Sequence, residues 1–487
     1  MKIVSTGRTL LRRRWNRTSS GISASFSSFS KEEVTTNISP IVNHGQFGSG
    51  GTVVGFSKHD NVRAAFEENF ARRLELGSQL VIYEKGEKIV DLYGFAPETE
   101  AKMGKDIVEY DGDTLQCVFS SGKNMEAIAV AMLVDRGLVN YDDLVAEHWP
   151  EFGANGKDTI TISDVMRHAG GVPFVVDPNS PNKTIPITPE DIFGLDGLEQ
   201  KICQAPRYPP SSSPTPTSYH AHTRGWIVNG ILRRVDPSGR SLGRFLKEEV
   251  TGPLSKVSET GEVKFFCGIP EEEQATMTFA NIEQGSDLYN IPALILPSFA
   301  GFREKVTAET IKVLLREDVR KQVVSWLKPP LVSMEYIDSP EARSMEYSSA
   351  GMFANARSIA FINAAAMAGD GSINGVRLLS NEGVKTSMGD IITRADASLD
   401  LSFGVSRGGY GSFEGLDCGS YQSRIFHPDD NIAFKGFVGW GGIGGSLSLV
   451  DREREISFAY CMNGFGLNML GGVRTRRILT ALQMAIP

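Results

Sequence analysis

Phe119-Ser120-Ser121-Gly122-Lys123-Asn124, running into a helical pattern from Met125 to Gly137, is the stretch on which the reading of this 487-residue chain turns. Ser120 and Lys123 form an S-x-x-K element. Positions three apart share one helix face, so the Lys123 ammonium can reach the Ser120 hydroxyl. A helix N-terminus adds unpaired N–H groups and a positive dipole end, and both stabilise a developing alkoxide or oxyanion. A serine with an adjacent base is the minimum that nucleophilic catalysis requires. The same residues also read as a helix start followed by a solvated lysine. Because S-x-x-K recurs by chance in long chains, its surroundings decide.

Working outward, the helical pattern after Lys123 turns Ile128, Met132 and Leu133 to one side. Upstream, Asp60 can cap a helix with the stripe Val62, Phe66, Phe70 and Leu74, ended by Gly77. Gln79–Tyr83 and Lys88–Tyr93 then read as strands closed by Lys85-Gly86-Glu87. Downstream, a Pro/Ser/Thr loop from Ala205 to Ser218 precedes a helix expected from Tyr219 to Arg234, and an alanine-rich helix covers Ala354 to Gly369. Near the end, Leu447–Val450 and Ile456–Met462 read as strands joined by a turn at Asp451–Arg454. Ile456, Phe458, Tyr460 and Met462 alternate with their neighbours, and Arg474–Ala485 closes the chain as a helix. This order predicts an α+β fold. One α+β lobe is assembled from both chain ends, and the middle supplies a mostly helical second lobe.

Several further segments fall in a recognisable order. After the serine motif come Val134-Asp135-Arg136-Gly137-Leu138, Asp142-Asp143, Trp149-Pro150-Glu151-Phe152 and the run from Ile160 to Pro173 with Arg167-His168-Ala169-Gly170-Gly171. Tyr219-His220-Ala221 is followed by Thr223-Arg224-Gly225-Trp226-Ile227 and Gly252-Pro253-Leu254, and the last segment runs from Phe437 through Trp440-Gly441-Gly442-Ile443 to Ser446. Over roughly residues 44–487 the chain resembles the serine β-lactamase-related family, which includes class C β-lactamases, D-Ala-D-Ala peptidases and family VIII carboxylesterases. The resemblance implies a β-lactamase/transpeptidase-like fold, an antiparallel sheet flanked by helices with a mostly helical second lobe. It implies Ser120 as acyl-accepting nucleophile, Lys123 as the group that takes or relays its proton, and Tyr219, opening a helix, as partner base. The backbone N–H groups of Ser120 and Ile443 would form the oxyanion hole. No metal and no organic cofactor is implied.

Two departures separate this chain from penicillin-recognising members. Their third motif is Lys-Thr-Gly where this chain has Trp440-Gly441-Gly442, and His220-Ala221 replaces the usual Ser/Ala-Asn after the tyrosine. Both replacements resemble the esterase branch. The missing lysine removes the cation that would meet a β-lactam carboxylate, while Trp440, Gly441 and Gly442 would offer an acyl group an apolar wall. The expected activity is a carboxylesterase on small esters or amides. Two alternatives stand beside it. One is a D-amino-acid-type peptidase or β-lactamase; the other is a scaffold that self-associates with little catalysis, since a mitochondrial animal member of the family polymerises.

Composition narrows the rest. Apolar residues are 41% and charged residues 22% of the chain, an ordinary globular balance, and no run of about 18 apolar residues suggests a membrane-spanning helix. A net charge of −8 argues against a nucleic-acid binder. Cys117, Cys203, Cys267, Cys418 and Cys461 lie at least 43 positions apart, which suits reduced thiols. His220 and His222, two apart on the expected helix, face different ways and lack a third ligand, so a metal site is not expected. Gly439 to Gly444 matches G-x-G-x-x-G, but a strand rather than a helix follows, so no dinucleotide is expected. Family members carry a histidine like His168 beside the site; here it reads first as a buried, hydrogen-bonded support, with direct chemistry as the alternative.

The first 31 residues hold seven cations (Lys2, Arg8, Arg12, Arg13, Arg14, Arg17 and Lys31) with many serines and no acid before Glu32. That is the pattern of a mitochondrial transit peptide, and its removal would take the charge from −8 to −15. Mitochondrial localisation is therefore expected, with a cytoplasmic protein carrying a basic tail as the alternative. Residues 32–57 read as a linker and 58–487 as the hydrolase domain.

Overall fold

The computed structural model describes residues 41–44, 59–96, 110–177, 179–185, 187–213, 216–284, 334–368, 372–396, 402–417, 430–466 and 470–486. The basic N-terminal segment and Cys418 lie outside them. Residues 40–487 form one compact unit.

Strand β1 (Ile41–His44) precedes helix α1 (Asp60–Ala71) and the hairpin of β2 (Gly77–Glu84) and β3 (Glu87–Phe95). Lys85 and Gly86 both have positive φ, 53° and 80°, which matches the twist that a two-residue hairpin turn must carry. Among the helices of the middle of the chain are α2 (Lys123–Asp135), α3 (Thr223–Val235) and α4 (Ala356–Ala366). The C-terminal part contributes β4 (Ile392–Ala395), β5 (Ser402–Val405), β6 (Gly411–Asp417), β7 (Val438–Gly441), β8 (Leu447–Asp451), β9 (Ile456–Met462) and helix α5 (Gly472–Ala485).

The nine strands make one sheet in the order β1-β3-β2-β9-β8-β7-β6-β5-β4, every neighbouring pair antiparallel. The chain ends meet in its middle, where β9 pairs with β2 from Ile456↔Glu84 to Met462↔Ser78. The alternation along β9 sorts its side chains between two cores. Ile456, Phe458, Tyr460 and Met462 join Val62, Phe66 and Phe70 of α1 and Ile478, Leu479 and Leu482 of α5. Ala459 and Cys461 belong to the larger core, on the side of α4, which extends into the helical region. Burying one such large apolar side chain stabilises the fold by about 1.5–3 kcal/mol.

Three expectations need correction. Residues 41–44, placed in the linker, form an edge strand, because the β-branched pair Ile41-Val42 adds to the open side of β3. Helix α1 stops at Ala71 rather than at Gly77, which instead opens β2. Arg73 takes the left-handed conformation (φ 57°), and the amides of Arg73 and Leu74 return to the carbonyls of Phe70 and Asn69, closing the helix without a glycine. Helix α3 begins at Thr223, so Tyr219 lies on the loop before it.

Candidate active site

The serine is delivered by a short anchored segment. Gln116-Cys117 pairs with Phe353-Ala354, and the Val118 amide bonds the Met352 carbonyl at 3.0 Å. Phe119, with φ of 47°, reverses the chain, and Phe119–Gly122 forms one 3-10 turn before α2 begins at Lys123. Gly122 is there for space: a Cβ would come within 2.7 Å of Met352 Sδ. Ser120 therefore sits on the turn leading into the helix, and the spacing of three still brings Lys123 to it.

Lys123 is fully buried. Its Nζ donates to Ser120 Oγ at 3.2 Å, to the Ala221 carbonyl at 2.8 Å and to the Ser349 carbonyl at 2.7 Å. Burial lowers its pKa to about 7, with Glu126 opposing and Arg224 reinforcing that change. The Tyr219 hydroxyl donates to Ser120 Oγ at 2.8 Å. Burial pushes this phenol well above its ordinary range, so it keeps its proton at neutral pH. The three residues singled out from sequence thus converge on one oxygen atom.

Tyr219 is held from outside its own segment. The Ser218 amide bonds the His168 carbonyl and the His220 amide bonds His168 Nδ1, both at 3.0 Å. These bonds fix the backbone on either side of Tyr219 in a non-helical form, which local sequence could not signal. Accepting at Nδ1 places the His168 ring proton on Nε2, and the ring packs 4.6 Å from Tyr219 and 5.1 Å from Trp440. The expected supporting role matches this geometry. His220 accepts from the Val172 amide, and His222 bonds the Tyr347 hydroxyl, so each is engaged with a separate partner.

The Trp440 segment lies directly beside the serine turn. Ser121 Oγ meets the Ser446 carbonyl at 2.9 Å, Ser446 Oγ donates to the Val118 carbonyl at 2.7 Å, and a Cβ on Gly442 would approach that carbonyl to 2.5 Å. Only glycine permits that approach. Ile443 follows, 40% exposed, and the next carbonyl, Gly444, accepts from Arg474 at 2.7 Å and from the Gly466 amide at 3.0 Å. The Trp440 indole is only 4% exposed, donates to the Gly409 carbonyl at 2.6 Å and packs against Phe403. It is therefore a covered platform beneath Tyr219 and His168 rather than the open wall expected.

Comparison with known proteins agrees with this arrangement: the β-lactamase family model matches residues 62–483. The chain belongs to the β-lactamase family. The esterase/β-lactamase LipL of Mycobacterium tuberculosis is 26% identical to it over 403 residues, covering 82% of this chain and 80% of that protein. A crystal structure of a penicillin-binding protein homolog from Caulobacter crescentus superposes with a TM-score of 0.66 at 26% identity, covering 89% of this chain and 99% of the other. A family VIII carboxylesterase superposes with a TM-score of 0.67 at 23% identity over the same shares and supports the fold.

Sequence reasoning missed a second layer. Glu126 and Arg224 form an ion pair at 2.7 Å, both side chains wholly buried. Ser348 and Ser349 donate their hydroxyls to Glu126 at 3.0 and 2.9 Å. A signal existed: Glu126 is the lone charge between Lys123 and Asp135. Its partner, 98 positions away, could not be read from it. Among the described residues, Asp143, Glu147 and His148 approach one another closely enough to hold a cation, but all three are at least partly exposed. No helix among the described residues is long and apolar enough to cross a membrane.

Proposed function

We propose that the chain is a serine hydrolase that passes through an acyl-enzyme on Ser120 and acts as a carboxylesterase on small esters or amides. The observation that carries this reading is the convergence of Lys123 Nζ and the Tyr219 hydroxyl on Ser120 Oγ. A neutral amine has two N–H bonds and one lone pair. The carbonyls of Ala221 and Ser349 engage the two N–H bonds, so the lone pair faces Ser120. Lys123 then accepts the serine proton as Oγ attacks the substrate carbonyl carbon. The amides of Ser120 and Ile443 stabilise the oxyanion, a contribution of about 10²–10³ in rate for such a donor. Collapse of the tetrahedral intermediate expels the alcohol, which takes its proton from Lys123 through the Tyr219 hydroxyl. Water resolves the acyl-enzyme by the same relay in reverse.

The ester preference rests on the site's charges. The guanidinium beside Trp440 is that of Arg224, 5.1 Å from the ring. It is wholly buried and engaged by Glu126 and by the carbonyls of Lys123, Met166 and Gly409. A β-lactam carboxylate would lose water without gaining that cation, a penalty of several kcal/mol that an uncharged ester avoids. A deficit of about 3 kcal/mol corresponds to a hundredfold in rate. The test compares kcat/KM for p-nitrophenyl butyrate and nitrocefin on one preparation. The ester should be faster by about a hundredfold or more; nitrocefin equal or faster would overturn the selectivity. We also propose mitochondrial import, supported by the seven cations preceding Glu32. A tagged protein should fractionate with mitochondria in shortened form, and a cytosolic product retaining Met1 would refute import.

A further inference from the structure

The wholly buried Glu126–Arg224 pair contributes no atom to the Ser120 cluster, yet it touches two of the elements that make it. Glu126 lies one turn after Lys123 on α2 and receives the Ser349 hydroxyl, while the carbonyl of the same Ser349 receives Lys123 Nζ. The Gly225 amide also bonds the Ser349 hydroxyl at 2.8 Å, tying this loop to α3. From the other side, Arg224 donates to the Lys123 main-chain carbonyl at 2.7 Å and to Glu126 at 2.7 Å. One carboxylate and one guanidinium therefore fix both the backbone of the lysine and an acceptor of its side chain.

We propose that Glu126 and Arg224 are positioning residues for the Ser120 reaction, clamping the Ser349 carbonyl and the first turn of α2 so that the free valence of Lys123 faces Ser120, and balancing opposite charges at that amine. The inference rests on the acyl-enzyme reading. Its electrostatic half follows from what surrounds Lys123. His168, His220 and His222 face it from the loops, and burial lowers all three far enough to keep them uncharged at neutral pH, His220 and His222 to about 3. Tyr219, whose ring lies 5.1 Å from Lys123 Nζ, stays protonated. The charges acting on the amine are thus Glu126, which favours its protonated form, and Arg224, which disfavours it. Salt screens buried charges of this kind much less than exposed ones.

Opposite charges give opposite predictions, which a merely structural pair would not. Glu126→Gln keeps the side-chain shape and an acceptor for the two serines but leaves the Arg224 charge unopposed. Arg224→Gln leaves the Glu126 charge unopposed. The experiment follows the rate of labelling of the full chain by a fluorophosphonate probe from pH 5 to 9. The acid-side midpoint should move down in Glu126→Gln and up in Arg224→Gln, by about half a pH unit or more each. The doubly neutral variant should lie above Glu126→Gln and near wild type. Removing one member of a buried pair is costly, so Arg224→Gln alone could fail to fold. The order of wild type, Glu126→Gln and the double variant then decides by the same sign. Midpoints that stay fixed, or move together, would overturn the proposal while leaving Ser120 labelling intact. Absence of labelling in wild type at every pH would overturn the acyl-enzyme reading instead, and this inference with it.

Discussion

Among the described residues two lysines are wholly buried, and their hydrogen-bond partners differ in one respect. Lys157 Nζ donates to the carbonyls of Ala154, Cys203 and Ala205. Lys123 donates to two carbonyls and to the Ser120 hydroxyl. Three carbonyls satisfy an ammonium and offer nothing to deprotonate, so Lys157 closes the end of the Leu195–Gln204 helix against the Ala154 turn. Substituting a hydroxyl for the third carbonyl supplies a proton donor at the site of the lone pair. Burial lowers both amines, Lys157 to about 8 and Lys123 to about 7, so a depressed pKa alone does not mark a base. The neighbouring hydroxyl does.

The contrast is broken or sharpened most strongly by paired substitution. Lys123→Met should lower kcat/KM for p-nitrophenyl butyrate by about a thousandfold or more. Lys157→Met should leave it within about threefold, yet reduce stability by about 3 kcal/mol as three buried carbonyls lose their donor. Urea unfolding of the two variants measures the second effect; comparable activity losses would erase the distinction. Next in size, Tyr219→Phe removes the other group on Ser120 Oγ, a partner Lys157 does not have. A fall in kcat of about a hundredfold with a smaller change in KM is expected from steady-state kinetics. The smallest effect is the pH dependence. The neutral amine is the reactive form, so kcat/KM for an uncharged ester should rise about tenfold per unit below pH 7 and level off above the Lys123 pKa of about 7. A flat profile through that range would show that Lys123 does not titrate in the reaction.

Much of this site was readable because its parts are local. The Ser120–Lys123 spacing survives a change from α-helix to 3-10 turn, since either form brings positions three apart together. The β9 alternation and the Lys85-Gly86 turn likewise follow from period and φ. The rest depends on distant partners. Tyr219 leaves its expected helix because His168 takes the amide of His220, 52 positions further along the chain. Trp440 is covered because Phe403 and His168 pack on it, and the Ser348-Ser349 loop joins the site because Glu126 lies beneath it and Lys123 bonds its carbonyl. The strand in residues 41–44 was hidden because four residues between turn-rich stretches carry too little pattern.

Covalent chemistry at Ser120 is the central claim, and intact-mass spectrometry after exposure to an activated ester tests it most directly. The wild type should gain the mass of one acyl group, and Ser120→Ala, folded by circular dichroism, should gain none. An adduct of the same mass on Ser120→Ala would place the nucleophile elsewhere and contradict the account.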